Sequence, residues 1–168
     1  MSPHSMEHTA RGFAAPYNTQ FSVFLDNRVG KLAELIDIFD GESVHIAALS
    51  VADSSDYSIV RLLTTNRTLS RNLLNEHKLP YTEAEILIVE LSPRQTLTDL
   101  CRCLLAAEVS IHYAYPLLVR PHGAPPIALH TDDQVLACQI LQRKLFNLLA
   151  EDDLSDDETP ELPDYGVG

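Results

Sequence analysis

The chain repeats itself once. A shift of 65 positions lays Leu32, Leu35, Ile36 and Phe39 on Leu97, Leu100, Cys101 and Leu104. Both sets follow i, i+3, i+4, i+7, the stripe by which a surface helix faces a core. The alternating stretches that follow also match, Val44, Ile46 and Ala48 falling on Val109, Ile111 and Tyr113. At a shift of 66, Leu69, Leu74 and Leu79 fall on Val135, Ile140 and Leu145. Two copies of one supersecondary unit explain this pattern. A unit of roughly 65 residues buries too little surface to be robust alone, so the copies are expected to pack together or to dimerise.

Within each copy the period alternates between 2 and 3.6 in the order strand, helix, strand, strand, helix, strand. In the first copy the expected elements are 20–25, 30–40, 43–51, 57–64, 67–77 and a short strand at 79–83. In the second they are 85–91, 96–107, 109–118, 124–130, 132–142 and 144–150. Gly41 sits where a helix would end in a left-handed residue, and ADSSD at 52–56 reads as a hairpin turn. Thr131 and Gln134 have capping-box spacing. Pro125 and Pro126 lack backbone donors, so their strand should pair only from Ile127 onward.

The expected fold is α+β: two ferredoxin-like βαββαβ units, each an antiparallel sheet with its helices on one face. The expected organisation is a flexible arm at 1–18, domains at 19–83 and 84–150, and a disordered acidic tail at 151–168. That tail is rich in charge and poor in apolar residues, so burial cannot offset its ordering entropy.

Charge narrows the function. The net charge is −12, yet the last 18 residues hold 8 of the 24 acids and no Lys or Arg, leaving 12 bases against 16 acids in the rest. The bases are scattered and form no phosphate-neutralising patch, which speaks against nucleic acid as a partner. No apolar run approaches the roughly 20 residues of a membrane helix, and the N-terminus lacks the apolar core of a secretory signal. No membrane partner and a cytoplasmic location are the expectation.

Chemistry-bearing motifs are sparse. Cys101, Cys103 and Cys138 are an odd number, the first two pointing to different helix faces, and are expected to be buried and inert. His112, His122 and His130 all fall in the second copy, where their approach across a sheet is the one arrangement that would suggest a metal; no metal and no cofactor are assigned. Nucleophile-elbow, Walker and dinucleotide glycine motifs are absent from the sequence, and no general base or nucleophile adjoins the polar loop 26–31. The chain is expected not to be an enzyme.

The loop DNRVGKL, residues 26–32, interrupts the pattern between the first strand and first helix. A helix start offers unsatisfied N–H groups, Gly30 permits positive φ or close approach, and Asn27 can donate and accept. The same residues could simply turn the chain or cap the helix, and the residue chemistry leaves both roles open.

The first copy, FSVFLDNRVGKLAELIDIFDGESVHIAALSVADSSDYSIVRLLT, resembles an ACT domain, a small amino-acid-sensing module of amino-acid metabolism. Its loop matches the Asn-x-x-Gly pattern of that family. Among ACT proteins it is most similar to the regulatory subunit of acetolactate synthase and to stand-alone tandem ACT proteins. EILIVELSPRQTLTDLCRCLLAAEVSIHYAYPLL in the second copy fits the same outline more weakly, with Gln95 in place of Gly30 and Ser92 in place of Asn27.

The resemblance implies a small amino acid, branched-chain included, held at a domain interface. The implied ligand residues are Asp26, Asn27, Arg28, Val29, Gly30 and Lys31 in the loop, with His45, Ile46 and Ala47 on the second strand. It further implies a homodimer and a partner metabolic enzyme such as acetolactate synthase. The competing expectation is a structural module that binds no ligand and assembles through its sheet edges.

Overall fold

A computed structural model describes residues 16–155. The elements are β1 (Tyr17–Asp26), α1 (Lys31–Asp37), β2 (Ile46–Asp53), β3 (Tyr57–Thr64), α2 (Arg67–Glu76), β4 (Tyr81–Glu90), α3 (Leu97–Ala106), β5 (Ile111–Pro116), β6 (Ile127–Thr131), α4 (Gln134–Arg143) and β7 (Asn147–Leu149). A 3-10 helix, Glu151–Ser155, follows. The fold is α+β and carries two βαββαβ units, as the sequence pattern requires.

The units share a strand. The sheet runs β2-β3-β1-β4-β6-β5, with β7 also paired to β4. All of its pairings are antiparallel. β1 pairs with β4 up to Tyr17 opposite Leu87, and β7 continues along the same side of β4 from Leu149 opposite Ile88. β4 therefore closes the first unit and opens the second. The two strands expected at 79–83 and 85–91 are one, and the expected seam between 83 and 84 lies inside it. Continuity is favoured because each further ladder residue of a single strand satisfies its backbone groups without a turn.

Other expected bounds also move. β1 begins at Tyr17, inside the expected arm, and the 3-10 helix occupies the start of the expected tail with Leu154 buried. The remainder of the arm and tail expectations lies outside the described residues. Pairing of β6 begins at Ile127, as the two prolines before it dictate.

One face of the sheet carries all four described α-helices. Phe21, Val23, Leu62 and Val60 bury against Leu35 and Phe39 of the α1 region and Leu73 and Leu74 of α2. Leu87, Val89 and Leu129 bury against Leu100 and Leu104 of α3 and Ala137 and Leu141 of α4. Burying each of these Leu, Val and Phe side chains contributes about 1.5–3 kcal/mol relative to exposure. On the opposite face Ala48, Leu63, Ile86, Ile88, Tyr115, Leu117 and Ala128 form a third cluster spanning both units. The sheet curls around it until its edges meet, the N–H of Leu118 donating to the carbonyl of Ala47 at 2.8 Å.

The repeat is real, and its register in the second half is 67 rather than 66. The helix caps Asn66 and Asp133, the left-handed residues Lys78 and Leu145, and the buried Leu74 and Leu141 all correspond at that spacing. Val135 and Leu145, which the shift of 66 placed on core residues, are instead exposed. In β2 and β5 the spacing is 65, and both strands carry an irregularity at the same place, Ile46/Ala48 and Ile111/Tyr113.

Caps explain where three helices begin. Asn66 accepts from the Leu69 N–H, Asp133 accepts from the Leu136 N–H, and Thr96 forms a reciprocal capping box with Asp99. Thr131, expected as the cap of the last helix, instead donates through its N–H and hydroxyl to Gln134 Oε1 from two residues outside the cap. Cys138 is buried and Cys103 half-buried, but Cys101 is exposed because its helix face points away from the sheet.

Candidate functional site

The loop between β1 and α1 opens onto the far end of the β2–β3 hairpin. Asn27 Nδ2 donates to Asp53 Oδ1 at 3.3 Å, tying the loop to the end of β2. Asp26, Asn27, Arg28 and Lys31 line a small hollow of about 70 Å³ with Val51 and Ser58. α1 starts at Gly30, with φ of +89° and no side-chain cap, unlike the other three described helices. Its first N–H, on Lys31, donates to the Arg28 carbonyl at 3.3 Å, and those of Leu32 and Ala33 lack the side-chain oxygen that a capped start supplies. Val29 is fully exposed beside them.

The loop cations are already paired. Arg28 meets Asp26 at 3.2 Å and Lys31 meets Glu34 at 2.9 Å, both at the surface. Such pairs contribute about 0–1 kcal/mol, so either cation is free to turn toward another anion.

His45, Ile46 and Ala47 do not join this loop. They lie at the opposite end of β2, about 20 Å away at roughly 3.3 Å per strand residue. The exposed His45 exchanges hydrogen bonds with Thr65, its N–H donating to the hydroxyl at 2.9 Å and its carbonyl accepting the Thr65 N–H at 3.0 Å. Ala47 is fully buried, and its carbonyl is occupied by Leu118 of the same chain. The second repeat thus covers the strand end that a neighbouring domain was expected to approach.

The corresponding loop of the second repeat, between β4 and α3, opens onto a larger cleft of about 480 Å³. Its floor holds Glu90, which is 7% exposed. Glu90 accepts hydrogen bonds from His122 Nδ1, at 2.8 and 2.9 Å to its two oxygens, and from Asn147 Nδ2 at 2.9 Å. Gln95, standing where Gly30 does in the first copy, turns inward and ties the loop closed, accepting from the Ser92 N–H at 3.0 Å and donating to the Leu145 carbonyl at 3.3 Å. Sequence reading missed Glu90 and Asn147; the signal was a lone acid within the apolar run ILIVEL.

His122 does not approach the other two histidines of its copy in any metal-like group, and no cluster of three or more potential metal ligands occurs among the described residues. His112 and His130 have ring centroids 5.4 Å apart, and His130 stacks on Tyr113 at 4.9 Å. The Arg61 guanidinium lies 4.0 Å from the centre of the other aromatic surface, the Tyr113 ring. Burial, then the neighbouring His112 and Arg61, hold the His130 pKa below its usual value of 6.5.

A sequence model described as an ACT domain pair matches residues 18–157. Among solved structures, protein BT0572 from Bacteroides thetaiotaomicron superposes with a TM-score of 0.73 at 22% identity, over 83% of this chain and 96% of that one. The ligand-free regulatory subunit of aspartate kinase from Thermus thermophilus gives 0.50 at 7% identity, over 79% and 94%. Aspartokinase alpha and beta subunits give 0.50 at 10% identity, over 77% and 93%. At these identities the likeness is one of fold. No curated protein gives a sequence match.

Proposed function

The chain is a member of the ACT domain pair family, and from that premise we propose that it is a non-catalytic regulatory protein that binds a small amino acid and alters the state of a partner enzyme of amino-acid metabolism. The observation that carries this is the Asp26–Lys31 loop, where α1 opens uncapped at Gly30 beside an exposed Val29. An α-carboxylate suits the uncapped Leu32 and Ala33 N–H groups in the first turn of α1, and Asn27 offers an acceptor for the ammonium group.

The hollow there is about 70 Å³, too small to enclose an amino acid, so a second surface must complete it. A second copy of this chain is the partner proposed for that surface, which makes the working unit a homodimer. His45, Ile46 and Ala47 would enter only if Leu118 released the end of β2. Acetolactate synthase is the proposed target and a branched-chain amino acid the proposed ligand, from the resemblance of the first repeat to that enzyme's regulatory subunit. A cytoplasmic location fits such a partner.

Regulation requires that the ligand bind two assembly or conformational states with different affinity. Calorimetry against the twenty amino acids, valine and leucine first, tests the proposal with and without acetolactate synthase. Heat with any of them that Asn27→Ala abolishes supports it; no heat and no thermal shift at millimolar ligand in either setting overturns it.

One observation favours a second reading as an assembly module without a ligand. Val51, Tyr57 and Val29 form exposed apolar surface around the free end of the β2 edge. In that case Asn27→Ala would change stability and leave partner binding unaltered.

A further inference from the structure

The two repeats share one topology, so a ladder position in one has a direct control in the other. In the first repeat Phe24 donates its N–H to the Pro80 carbonyl at 2.9 Å, half-buried and edge-on to Tyr57 with ring centroids 5.9 Å apart. Phe21 opposite Leu62 and Leu87 opposite Leu129 fix the correspondence, which places Glu90 where Phe24 stands. Asn147, the ladder partner of Glu90, takes the place of Pro80. The connection between the second and third strands is 54–56 in the first repeat and 117–126 in the second, and the longer one delivers His122.

Three departures from the repeat thus converge on one cleft. The fold does not require them, since an apolar pair serves in the first copy. Burying a carboxylate is unfavourable unless its interactions compensate, and here they come from one amide and one histidine whose side chain is 63% exposed. Among the described residues no Lys or Arg lines the cleft, while Leu91, Pro93 and Ala124 give it apolar walls. Among the described residues Glu90 Oε1 accepts from both His122 and Asn147, whereas Oε2 accepts from His122 alone and keeps an open acceptor position.

We infer that the Glu90–His122–Asn147 cleft is a binding site for the ammonium group of a small primary amine with a short apolar body, free amino acids included. The ammonium donates to Glu90 Oε2 and its alkyl part lies against Leu91, Pro93 and Ala124. With Glu90 ionised, His122 Nδ1 carries a proton, which leaves Nε2 as the outward atom: an acceptor in the neutral ring and a donor to a ligand carboxylate in the imidazolium. This site is separate from the first-repeat loop and stands without it.

Three probes of one shape test the assignment on the full chain by NMR titration and calorimetry: isobutylamine, valine and isovalerate. Isobutylamine is expected to saturate and to shift the His122 ring and Asn147 side-chain resonances. Isovalerate, which lacks the amine, is expected to bind at least about tenfold more weakly, the loss that one charge-assisted hydrogen bond brings. Glu90→Gln should reduce isobutylamine affinity by about tenfold or more, and His122→Ala, at an exposed side chain, keeps the test open if Glu90→Gln fails to fold. Isovalerate binding as tightly as isobutylamine, no saturable amine binding, or resonance shifts confined to other residues would overturn it. Valine binding lost in Asn27→Ala but unchanged in Glu90→Gln would leave the first-repeat proposal standing and overturn this one for amino acids.

Discussion

Gln20 on β1 donates to the hydroxyl of Tyr113 on β5 at 2.7 Å, joining the two repeats across the inside of the curled sheet. Gln20 is fully buried, and its amide oxygen accepts from the Tyr115 hydroxyl. Burial raises the Tyr115 pKa well beyond the usual range, so this donor stays protonated at any physiological pH. Tyr113→Phe preserves the ring stacked on His130 but strands the Gln20 amide N–H, and should cost about 1–3 kcal/mol in urea unfolding. Adding Gln20→Leu and Tyr115→Phe should recover most of that loss, because no polar group of this network is then left to be unpaired. A triple variant weaker than the single one would show that the network contributes more than its pairing.

Leu145 should be replaceable with profit. It has a φ of +62° just after α4, while the residue is 84% exposed and so buries little. The position serves a helix stop in which the next N–H, on Phe146, returns to the Leu141 carbonyl at 2.9 Å. Leu145→Gly removes the left-handed strain and leaves those backbone bonds in place, so the chain should gain roughly 0.5–1 kcal/mol. Thermal unfolding reads it; a lower Tm would mean that the exposed leucine is covered in solution.

Much of the fold was legible because both copies are written in the same periods. Leu35 and Leu100 follow the helical stripe, and Ile127 marks the start of β6 because the two prolines before it have no N–H to give the ladder. What was not legible came from choices that only tertiary contact makes. Nothing local distinguishes one strand through Glu83 and Glu85 from two, since both residues are exposed in either case. Val135 is as apolar as Leu136, and only the cap at Asp133 decides which faces the core. At the candidate sites the loop residues were visible as a polar interruption, whereas Glu90, His122 and Asn147 meet through three separate elements and have no sequence spacing to betray them.

His130 gives the fold a pH dependence whose sign is determined. Its pKa is lower folded than unfolded, so the unfolded chain takes up the proton first as pH falls. The contribution is fully present above the unfolded value of 6.5, declines as pH drops below it, and is lost once pH passes the depressed folded value. His130→Phe keeps an aromatic ring against Tyr113 and removes this titration. Urea midpoints between about pH 7.5 and 5 should fall less steeply in the variant than in the parent. Equal slopes would assign the acid sensitivity to groups other than His130.

Gly30 separates backbone demand from ligand demand in the first loop. A Cβ built there meets nothing within 4 Å, so no steric clash opposes a side chain. The φ of +89° still disfavours any L residue, and Gly30→Ala should cost about 1 kcal/mol of stability. Gly30→Asn should cost less, because asparagine enters the left-handed region more readily than alanine. If the loop holds an amino acid against its backbone N–H groups, both variants should weaken ligand binding regardless of their difference in stability, since each puts a side chain beside the open helix start. Paired urea and calorimetric titrations distinguish the outcomes: stability ordered Gly, Asn, Ala with ligand affinity unchanged would reduce Gly30 to a turn residue.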